Sequence, residues 1–175
     1  ELEKLAFKDG QTGILNRRGF QAAHAEAKAL GPYGLLLVDI DRFKAINDKY
    51  GHAAGDVVVL EVARRIAGAL GPRDSCARWG GDEFIVLLPE CAPERLRSMA
   101  HAVMLAIDEN PTRIESTREI AISVSAGACL AENGDGLDVA TDMADTALYM
   151  AKARGRNMVV VFDASMMVPP RSAQG

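Results

Sequence analysis

Four carboxylates lie where apolar runs begin or end, and they are the strongest chemical signal in the chain. Asp39 and Asp41 follow the apolar run 35–38, and Asp82 and Glu83 precede a second run at 84–88. If both runs are strands of one sheet, these side chains gather together and repel one another unless protons or a cation lie among them. Oxygen ligands without a His or Cys cluster favour Mg²⁺, which completes its shell with water and substrate phosphates. The pattern predicts a magnesium nucleotide site, although a single Asp at a strand end is more often a helix cap or turn former.

Basic residues near these carboxylates are candidates for binding phosphate. Neither a GxxxxGK[ST] loop nor a GxGxxG turn after a strand is present. Lys44 follows Asp41 by three residues, and Lys152 and Arg156 lie four apart at the end of the last helical pattern. Backbone N–H groups of the turn after Asp41 are further donors. Each basic residue alone is more often a solvated charge, so this interpretation requires that they meet the carboxylates in space.

Length and composition are those of an ordinary soluble domain. The chain has 175 residues, of which 49% are apolar and 25% charged, which is typical of one compact unit. Its net charge of −4 provides no basic field for nucleic acid, and no apolar run approaches the roughly 20 residues that cross a bilayer. Cys76, Cys91 and Cys129 are far apart and predict neither a disulfide framework nor a zinc site, which favours a reducing cytoplasmic location. The first residue is Glu1 rather than Met, which is typical of a piece of a longer protein.

Helical and strand patterns follow one another without strict alternation. Helical spacing of apolar residues occurs over 17–30, 59–70, 96–107 and 137–154. Five runs have strand character: 34–39, 76–79, 84–88, 119–129 and 158–162, with a hairpin turn at Gly80 and Gly81. The predicted fold is α+β, with a largely antiparallel five-stranded central sheet flanked by helices. Residues 1–8 are predicted to end an upstream linker helix, 9–163 to form the domain, and 164–175 to be a disordered tail.

Four ordered segments together resemble one known family. Residues 9–18 (DGQTGILNRR) resemble D-x-L-T-G-L-x-N-R-R, and residues 39–56 (DIDRFKAINDKYGHAAGD) resemble D-x-D-x-F-K-x-x-N-D followed by G-H-x-x-G-D. Residues 78–84 (RWGGDEF) contain the signature that names the family, and residues 147–157 (ALYMAKARGRN) resemble its closing A-L-Y-x-A-K-x-x-G-R-N. The chain is therefore similar to the GGDEF domain of diguanylate cyclases over residues 9–157. The fold implied by this resemblance is a nucleotide-cyclase or ferredoxin-like palm.

The resemblance implies an activity and its partners. Members of this family condense two GTP into cyclic di-GMP and release two pyrophosphates, with one GTP on each subunit of an antiparallel homodimer. The implied cofactor is Mg²⁺, two ions per active site, for which Mn²⁺ substitutes. An upstream sensory or regulatory domain is expected in the full-length protein, whereas nucleic acid and direct membrane contact are not.

Site residues are implied position by position where this chain matches the family's motifs. Asp39, the Ile40 carbonyl and Asp82 would hold the two Mg²⁺ ions, and Glu83 would assist deprotonation of the attacking 3′-hydroxyl. Arg78 would orient the turn or the charged transition state. The implied substrate-binding residues are Phe43, Lys44, Lys152 and Arg156 for phosphate, and Asn47 and Asp56 for guanine.

Two departures from the family's pattern bear on function. Gly10, Gln11 and Ile14 replace commoner residues in the opening motif, which is expected to affect turn packing more than chemistry. Many members carry an R-x-x-D product-inhibition site, of which this chain keeps only Asp74, because Gly71 stands at the Arg position. High-affinity feedback inhibition by cyclic di-GMP is therefore expected to be absent or weak.

Other interpretations remain open at the level of sequence. A non-catalytic module that binds GTP or a partner is the main alternative, but such relatives usually lose Asp39, Asp82 or Glu83, and this chain keeps all three. A cyclase making mixed guanine–adenine products is a third interpretation, which the retained Asp56 disfavours. His24 is expected at the surface or its boundary.

Overall fold

The computed structural model describes residues 6–167, which form a sheet with helices on both faces. The helices are α1 (Arg17–Leu30), α2 (Phe43–Tyr50), α3 (His52–Ala69), α4 (Pro93–Asp108) and α5 (Leu137–Ala153), followed by a 3₁₀ turn (Ala164–Met167). The strands are β1 (Tyr33–Ile40), β2 (Ser75–Arg78), β3 (Glu83–Leu88), β4 (Thr112–Glu115), β5 (Arg118–Ile120), β6 (Val124–Ala131) and β7 (Val159–Val161). No helix within residues 6–167 is long and apolar enough to cross a membrane.

The central sheet has the strand order β2-β3-β1-β6-β7. Every neighbouring pair is antiparallel except β6 and β7, which run parallel. All eight residues of β1 are buried, as a continuous apolar run predicts for a central strand covered on both faces. The predicted α+β fold with a largely antiparallel five-stranded sheet is confirmed.

Two apolar layers hold helices against opposite faces of this sheet. Leu36 and Val38 point to the layer that contains α3 and α4, whereas Leu35 and Leu37 point to the layer that contains α1 and α5. Helix α5 lies so close to β6 that a Cβ at Gly127 would be 2.0 Å from the Ala144 carbonyl oxygen. This close approach fixes the position of α5 against the sheet. The last turn of α5 carries Lys152.

The strand predicted over 119–129 is two strands in different sheets. Residues Arg118–Ile120 pair with Thr112–Glu115 in a separate two-stranded sheet, and only β6 joins the central sheet. The chain leaves strand geometry between them, where the Ser123 carbonyl accepts a hydrogen bond from the backbone N–H of Asp41 at 2.9 Å. Alternation of apolar residues continues through this bend, which is why the sequence pattern does not reveal it.

Both ends of the described range differ from the predictions for the termini. Ala6 and Phe7 form a turn and Lys8 bridges to Leu15, so the predicted upstream helix does not extend to Lys8. The remainder of that prediction, residues 1–5, lies outside the described residues. Ala164–Met167 form a 3₁₀ turn where a disordered tail was predicted, and residues 168–175 lie outside the described range.

His24 is buried, so its predicted location at the surface or its boundary is wrong. Only 7% of the residue is exposed, its Nε2 atom has no hydrogen-bond partner within residues 6–167, and its ring packs edge-on against Tyr33 at 4.8 Å. Burial, with a smaller contribution from Lys28, holds the pKa of His24 below its usual 6.5. The helix α1 therefore buries a neutral imidazole under the sheet.

This burial predicts an acid-dependent loss of stability. Above pH 6.5 His24 is neutral in both the folded and unfolded states, but below it the unfolded chain binds a proton that the folded chain excludes. We expect the His24→Phe variant to lose less unfolding free energy than the original chain between pH 7.5 and pH 5.5, measured by urea denaturation. His101→Phe, at an exposed helical position, is the matched control and keeps the original slope. Equal slopes for the His24 variant and the original chain would contradict this.

Candidate active site

The carboxyl end of β1 meets the beginning of β3 at one edge of the sheet. Asp39 pairs in register with Glu83, and the Ile40 backbone N–H donates to the Asp82 carbonyl at 3.1 Å. Antiparallel pairing of these two strands therefore brings Asp39, Ile40, Asp82 and Glu83 together, although more than forty residues separate the pairs in sequence. Three of the four carboxylates that the sequence pattern grouped, Asp39, Asp82 and Glu83, therefore meet at this edge.

Asp39 is the most perturbed carboxylate at this edge. Its Oδ2 atom accepts a hydrogen bond from the Lys152 ammonium, whereas its Oδ1 atom is buried and has no partner within residues 6–167. Burial raises the pKa of Asp39 to about 6; Lys152 opposes the rise, and the charges of Asp82 and Glu83 add to it. A carboxylate in this environment is short of positive charge.

The oxygen ligands of Asp39, Asp82 and the Ile40 carbonyl fit a hard divalent cation that also binds water and substrate phosphates. Within residues 6–167 no group of three or more His, Cys, Asp or Glu side chains is arranged to hold a metal alone. Two carboxylates and one backbone carbonyl are few ligands, which suits an ion that uses one or two carboxylates with water and substrate phosphates. The free Oδ1 of Asp39 and the repulsion from Asp82 are the features that such a cation would relieve.

Asp41 does not belong to this cluster, contrary to the grouping by sequence. Its carboxylate accepts hydrogen bonds from Ser123 Oγ at 2.7 Å, Ser125 Oγ at 2.5 Å and the Asn157 backbone N–H at 3.0 Å. These bonds tie the end of β1 to β6 and to the loop after α5. Asp41 is a structural link that fixes the loop carrying Arg156.

The candidate phosphate-binding residues lie on two sides of this edge. Phe43 and Lys44 begin α2, which the chain enters through Arg42 in the left-handed region at φ 54°. As at the start of any helix, the first N–H groups have no intrahelical partner. Lys152 stands in the last turn of α5. Arg156 is exposed in the loop beyond, and neither Lys44 nor Arg156 forms an ion pair within residues 6–167. The structure thus brings Lys152 to the carboxylates.

The candidate base-reading residues lie on the helix pair α2 and α3. The Oδ1 atom of Asn47 is buried without a partner within the described residues. It lies over Gly55, where a Cβ would be only 1.8 Å away, so only glycine leaves room for this side chain. Asp56, next along the chain, is exposed and accepts a hydrogen bond from Gln11 Nε2 at 3.1 Å. Gly55 was missed as a site residue, although its place before Asp56 in the matched motif was a signal.

Arg78 binds the turn between β2 and β3 directly. Its Nε and Nη2 atoms donate to the Gly81 carbonyl at 3.2 and 2.8 Å, and its Nη1 donates to Gln11 Oε1 at 2.6 Å. The Asp9 carboxylate lies 3.6 Å from the same guanidinium. Of the two roles suggested by sequence, orientation of the turn is the one that these contacts support.

The degenerate product site is closed by the chain's own contacts. The Asp74 side chain is fully buried, and its carboxylate accepts from the Gly71 backbone N–H at 2.8 Å and from Arg95 Nη2 at 2.5 Å. Arg73 forms an ion pair with Glu90. Neither Asp74 nor Arg73 is therefore free to receive a ligand in this structure.

Curated proteins that are similar in sequence to this chain include a diguanylate cyclase and a response regulator. The chain is 36% identical over 165 residues to the diguanylate cyclase DgcM of Escherichia coli, covering 91% of this chain and 39% of that protein. It is 37% identical over 165 residues to the response regulator PleD of Caulobacter vibrioides, covering 90% of this chain and 36% of that protein. The chain thus spans about two fifths of the length of these curated relatives.

A solved structure and a family model are also similar to this chain. The coiled coil and GGDEF domain of DgcB from Caulobacter crescentus, in complex with c-di-GMP, superposes with a TM-score of 0.83 at 32% identity, covering 91% of this chain and 87% of that one. The family model described as "Diguanylate cyclase, GGDEF domain" matches residues 6–158. With its signature turn set beside Asp39 at the sheet edge, the chain belongs to the GGDEF diguanylate cyclase domain family.

Proposed function

We propose that this chain condenses two GTP into cyclic di-GMP and releases two pyrophosphates. One observation carries the proposal: Asp39, beside Asp82 and Lys152, has a buried carboxylate oxygen with no hydrogen-bond partner within residues 6–167, and a metal-bound triphosphate would supply the missing positive charge there. The names of the curated relatives and the match to the family model support it.

Two Mg²⁺ ions are proposed at the sheet edge, with Mn²⁺ as a substitute. Asp39, Asp82 and the Ile40 carbonyl would hold them. When bound, the ions neutralise charge on the triphosphate and lower the pKa of the attacking hydroxyl. The few protein ligands at this edge support ions that share their shell with substrate phosphates.

The triphosphate is proposed to replace an internal ion pair. Lys152 binds Asp39 in the structure, and each would exchange its partner when substrate arrives: Asp39 binds the metal, and Lys152 binds a phosphate oxygen. Arg156 would add a second cation, and the N–H groups of Phe43 and Lys44 would complete the phosphate site. The exchange keeps the charge of this buried region nearly constant.

Guanine is proposed to bind at the helix pair. The Asn47 amide and the Asp56 carboxylate together offer acceptors for the N1–H and N2–H₂ donors of the base and a donor for its carbonyl oxygen. The Oδ1 atom of Asn47 has no hydrogen-bond partner within residues 6–167, which supports this assignment, because a buried acceptor without a hydrogen bond is costly until a ligand supplies the donor.

The reaction is a pair of identical phosphoryl transfers. The 3′-oxygen of each GTP forms a bond to the α-phosphorus of the other, the bond from that phosphorus to the β-phosphate bridging oxygen breaks, and pyrophosphate leaves. Glu83 is proposed to accept the 3′-hydroxyl proton, and Arg78 to hold the turn that carries Asp82 and Glu83. Because each chain binds one GTP, catalysis requires a homodimer in which the two sites face each other.

Strong product inhibition is proposed to be absent. The Asp74 carboxylate is already bound by Gly71 and Arg95, and the side chain is fully buried. Isothermal titration of the chain with cyclic di-GMP should therefore show no submicromolar affinity. A submicromolar dissociation constant that Asp74→Asn abolishes would contradict this.

Product identification tests the activity. The chain, fused to a dimeric coiled coil so that pairing is not limiting, is incubated with GTP and Mg²⁺, and products are separated by chromatography and identified by mass spectrometry. An Asp82→Ala, Glu83→Ala double variant is the matched control. Cyclic di-GMP from the original chain alone is the expected result. No product from the dimeric fusion would overturn the proposal, and retained GTP binding in that case would favour the non-catalytic module.

A further inference from the structure

Gln11 joins two parts of the site that the motifs leave unconnected. Its Nε2 donates to Asp56 Oδ1 at 3.1 Å, and its Oε1 accepts from Arg78 Nη1 at 2.6 Å. Arg78 in turn donates twice to the Gly81 carbonyl in the turn that carries Asp82. A continuous chain of hydrogen bonds therefore runs from the carboxylate at the base-reading end to the turn at the reacting end.

The orientation of this amide is fixed by chemistry. A guanidinium can only donate and an ionised carboxylate can only accept, so the oxygen of Gln11 must face Arg78 and its nitrogen must face Asp56. No other rotation of the amide satisfies both neighbours. The leucine that is commoner at this position of the motif offers neither a donor nor an acceptor.

The hydrogen bond from Gln11 restricts the orientation of the Asp56 carboxylate. Asp56 is exposed in the second turn of α3, where an isolated carboxylate rotates freely. The bond from Gln11 restricts this rotation and uses only one of the lone pairs of Oδ1, so both oxygens can still accept from a ligand. A carboxylate held in one orientation can accept from two adjacent N–H groups of a base at once.

We propose that Gln11 is a positioning residue that sets selectivity for guanine, an inference that rests on the proposed function. By holding Asp56, it favours bases that present both an N1–H and a 2-amino group over those that lack the second donor. The expectation that Gln11 affects turn packing more than chemistry is replaced by a role in base selection.

The test compares two nucleotides that differ in one donor. The probes are 3′-deoxy-GTP and 3′-deoxy-ITP with Mg²⁺: neither has the attacking hydroxyl, so neither is consumed, and the second lacks the 2-amino group. Isothermal titration gives the ratio of their dissociation constants for the original chain, Gln11→Leu, Gln11→Glu and the control Gln21→Leu, which alters an exposed glutamine on α1. An apolar contact from leucine to the base would affect both nucleotides alike and would leave the ratio unchanged.

We expect the original chain and Gln21→Leu to prefer 3′-deoxy-GTP, and Gln11→Leu to lose roughly fivefold of that preference, the worth of about one net hydrogen bond. Gln11→Glu keeps an acceptor for Arg78 but cannot donate to Asp56, so it should lose the preference as well. An unchanged ratio in either Gln11 variant would overturn the inference while the proposed function stands. Failure of the original chain to bind 3′-deoxy-GTP would instead overturn the proposed function.

Discussion

Replacing Asp39 with asparagine is expected to reduce cyclic di-GMP formation by about a thousandfold or more, because the variant loses the charge of a proposed metal ligand, which is worth several kcal/mol to the transition state. The substitution keeps the size of the side chain and its place at the end of β1. The rate of product formation, followed by chromatography at saturating Mg²⁺, measures the effect. Asp108→Asn, at an exposed position ending α4, is the control and should retain full activity.

The same substitution is expected to leave stability unchanged or to raise it. Because folding raises the pKa of Asp39 to about 6, its ionised form costs folding free energy, and at pH 7.5 that cost is fully present. Asparagine removes the charge and its repulsion from Asp82 and Glu83, while Lys152 loses a partner but stays partly exposed to water. Thermal unfolding in metal-free buffer at pH 7.5 measures this. A variant that is inactive and also much less stable would show that Asp39 serves the fold, not the reaction.

Sequence alone predicted the sheet and its carboxylate edge because the signals are local. A continuous apolar run predicts β1, the Gly80-Gly81 pair predicts a turn between β2 and β3, and antiparallel pairing of β1 with β3 then brings Asp39 beside Glu83. The interruption between β5 and β6 near Ser123 was not predictable in this way, because the bend depends on a hydrogen bond from Asp41 far along the chain.

The sequence pattern could not assign a role to residues whose contacts lie far away in the sequence. Asp41 has the same type and strand-end position as Asp39, yet two serines of the β6 region and a backbone N–H occupy it. His24 lies on a helix of mixed composition, and only the packing of Tyr33 shows that its ring is buried. Gln11 similarly has the sequence position of a turn residue, and only its contacts with Asp56 and Arg78 support the proposed role in base selection.

Gly55→Ala is expected to weaken GTP binding by about 10- to 100-fold, the range for removing one or two hydrogen bonds from a buried polar site. A Cβ at this position would lie 1.8 Å from Asn47 Oδ1, so the Asn47 side chain must rotate away from the proposed guanine site. The atom displaced is the end of a side chain, whereas the Phe43 ring, at 3.2 Å, has to shift by only a few tenths of an ångström. Function should therefore fall far more than stability.

Gly68→Ala is the matched control, because this glycine lies on the same helix and a Cβ added there would have nothing within 4 Å. It should bind GTP normally and gain roughly 0.5–1 kcal/mol of unfolding free energy from helix propensity. Gly55→Ala gains the same helix propensity but loses free energy by displacing neighbouring side chains. Its unfolding free energy should therefore stay within about 1 kcal/mol of that of the original chain.

A double-mutant cycle then identifies the atom through which Gly55 acts. If the added methyl group works only by displacing Asn47, then Gly55→Ala should have no further effect on GTP affinity once Asn47 has been replaced by alanine. The coupling should equal nearly the whole effect of the single Gly55 substitution, measured by titration with 3′-deoxy-GTP. Additive losses would instead mean that the methyl group distorts the helix backbone around Asp56, and that Asn47 does not read the base from this position.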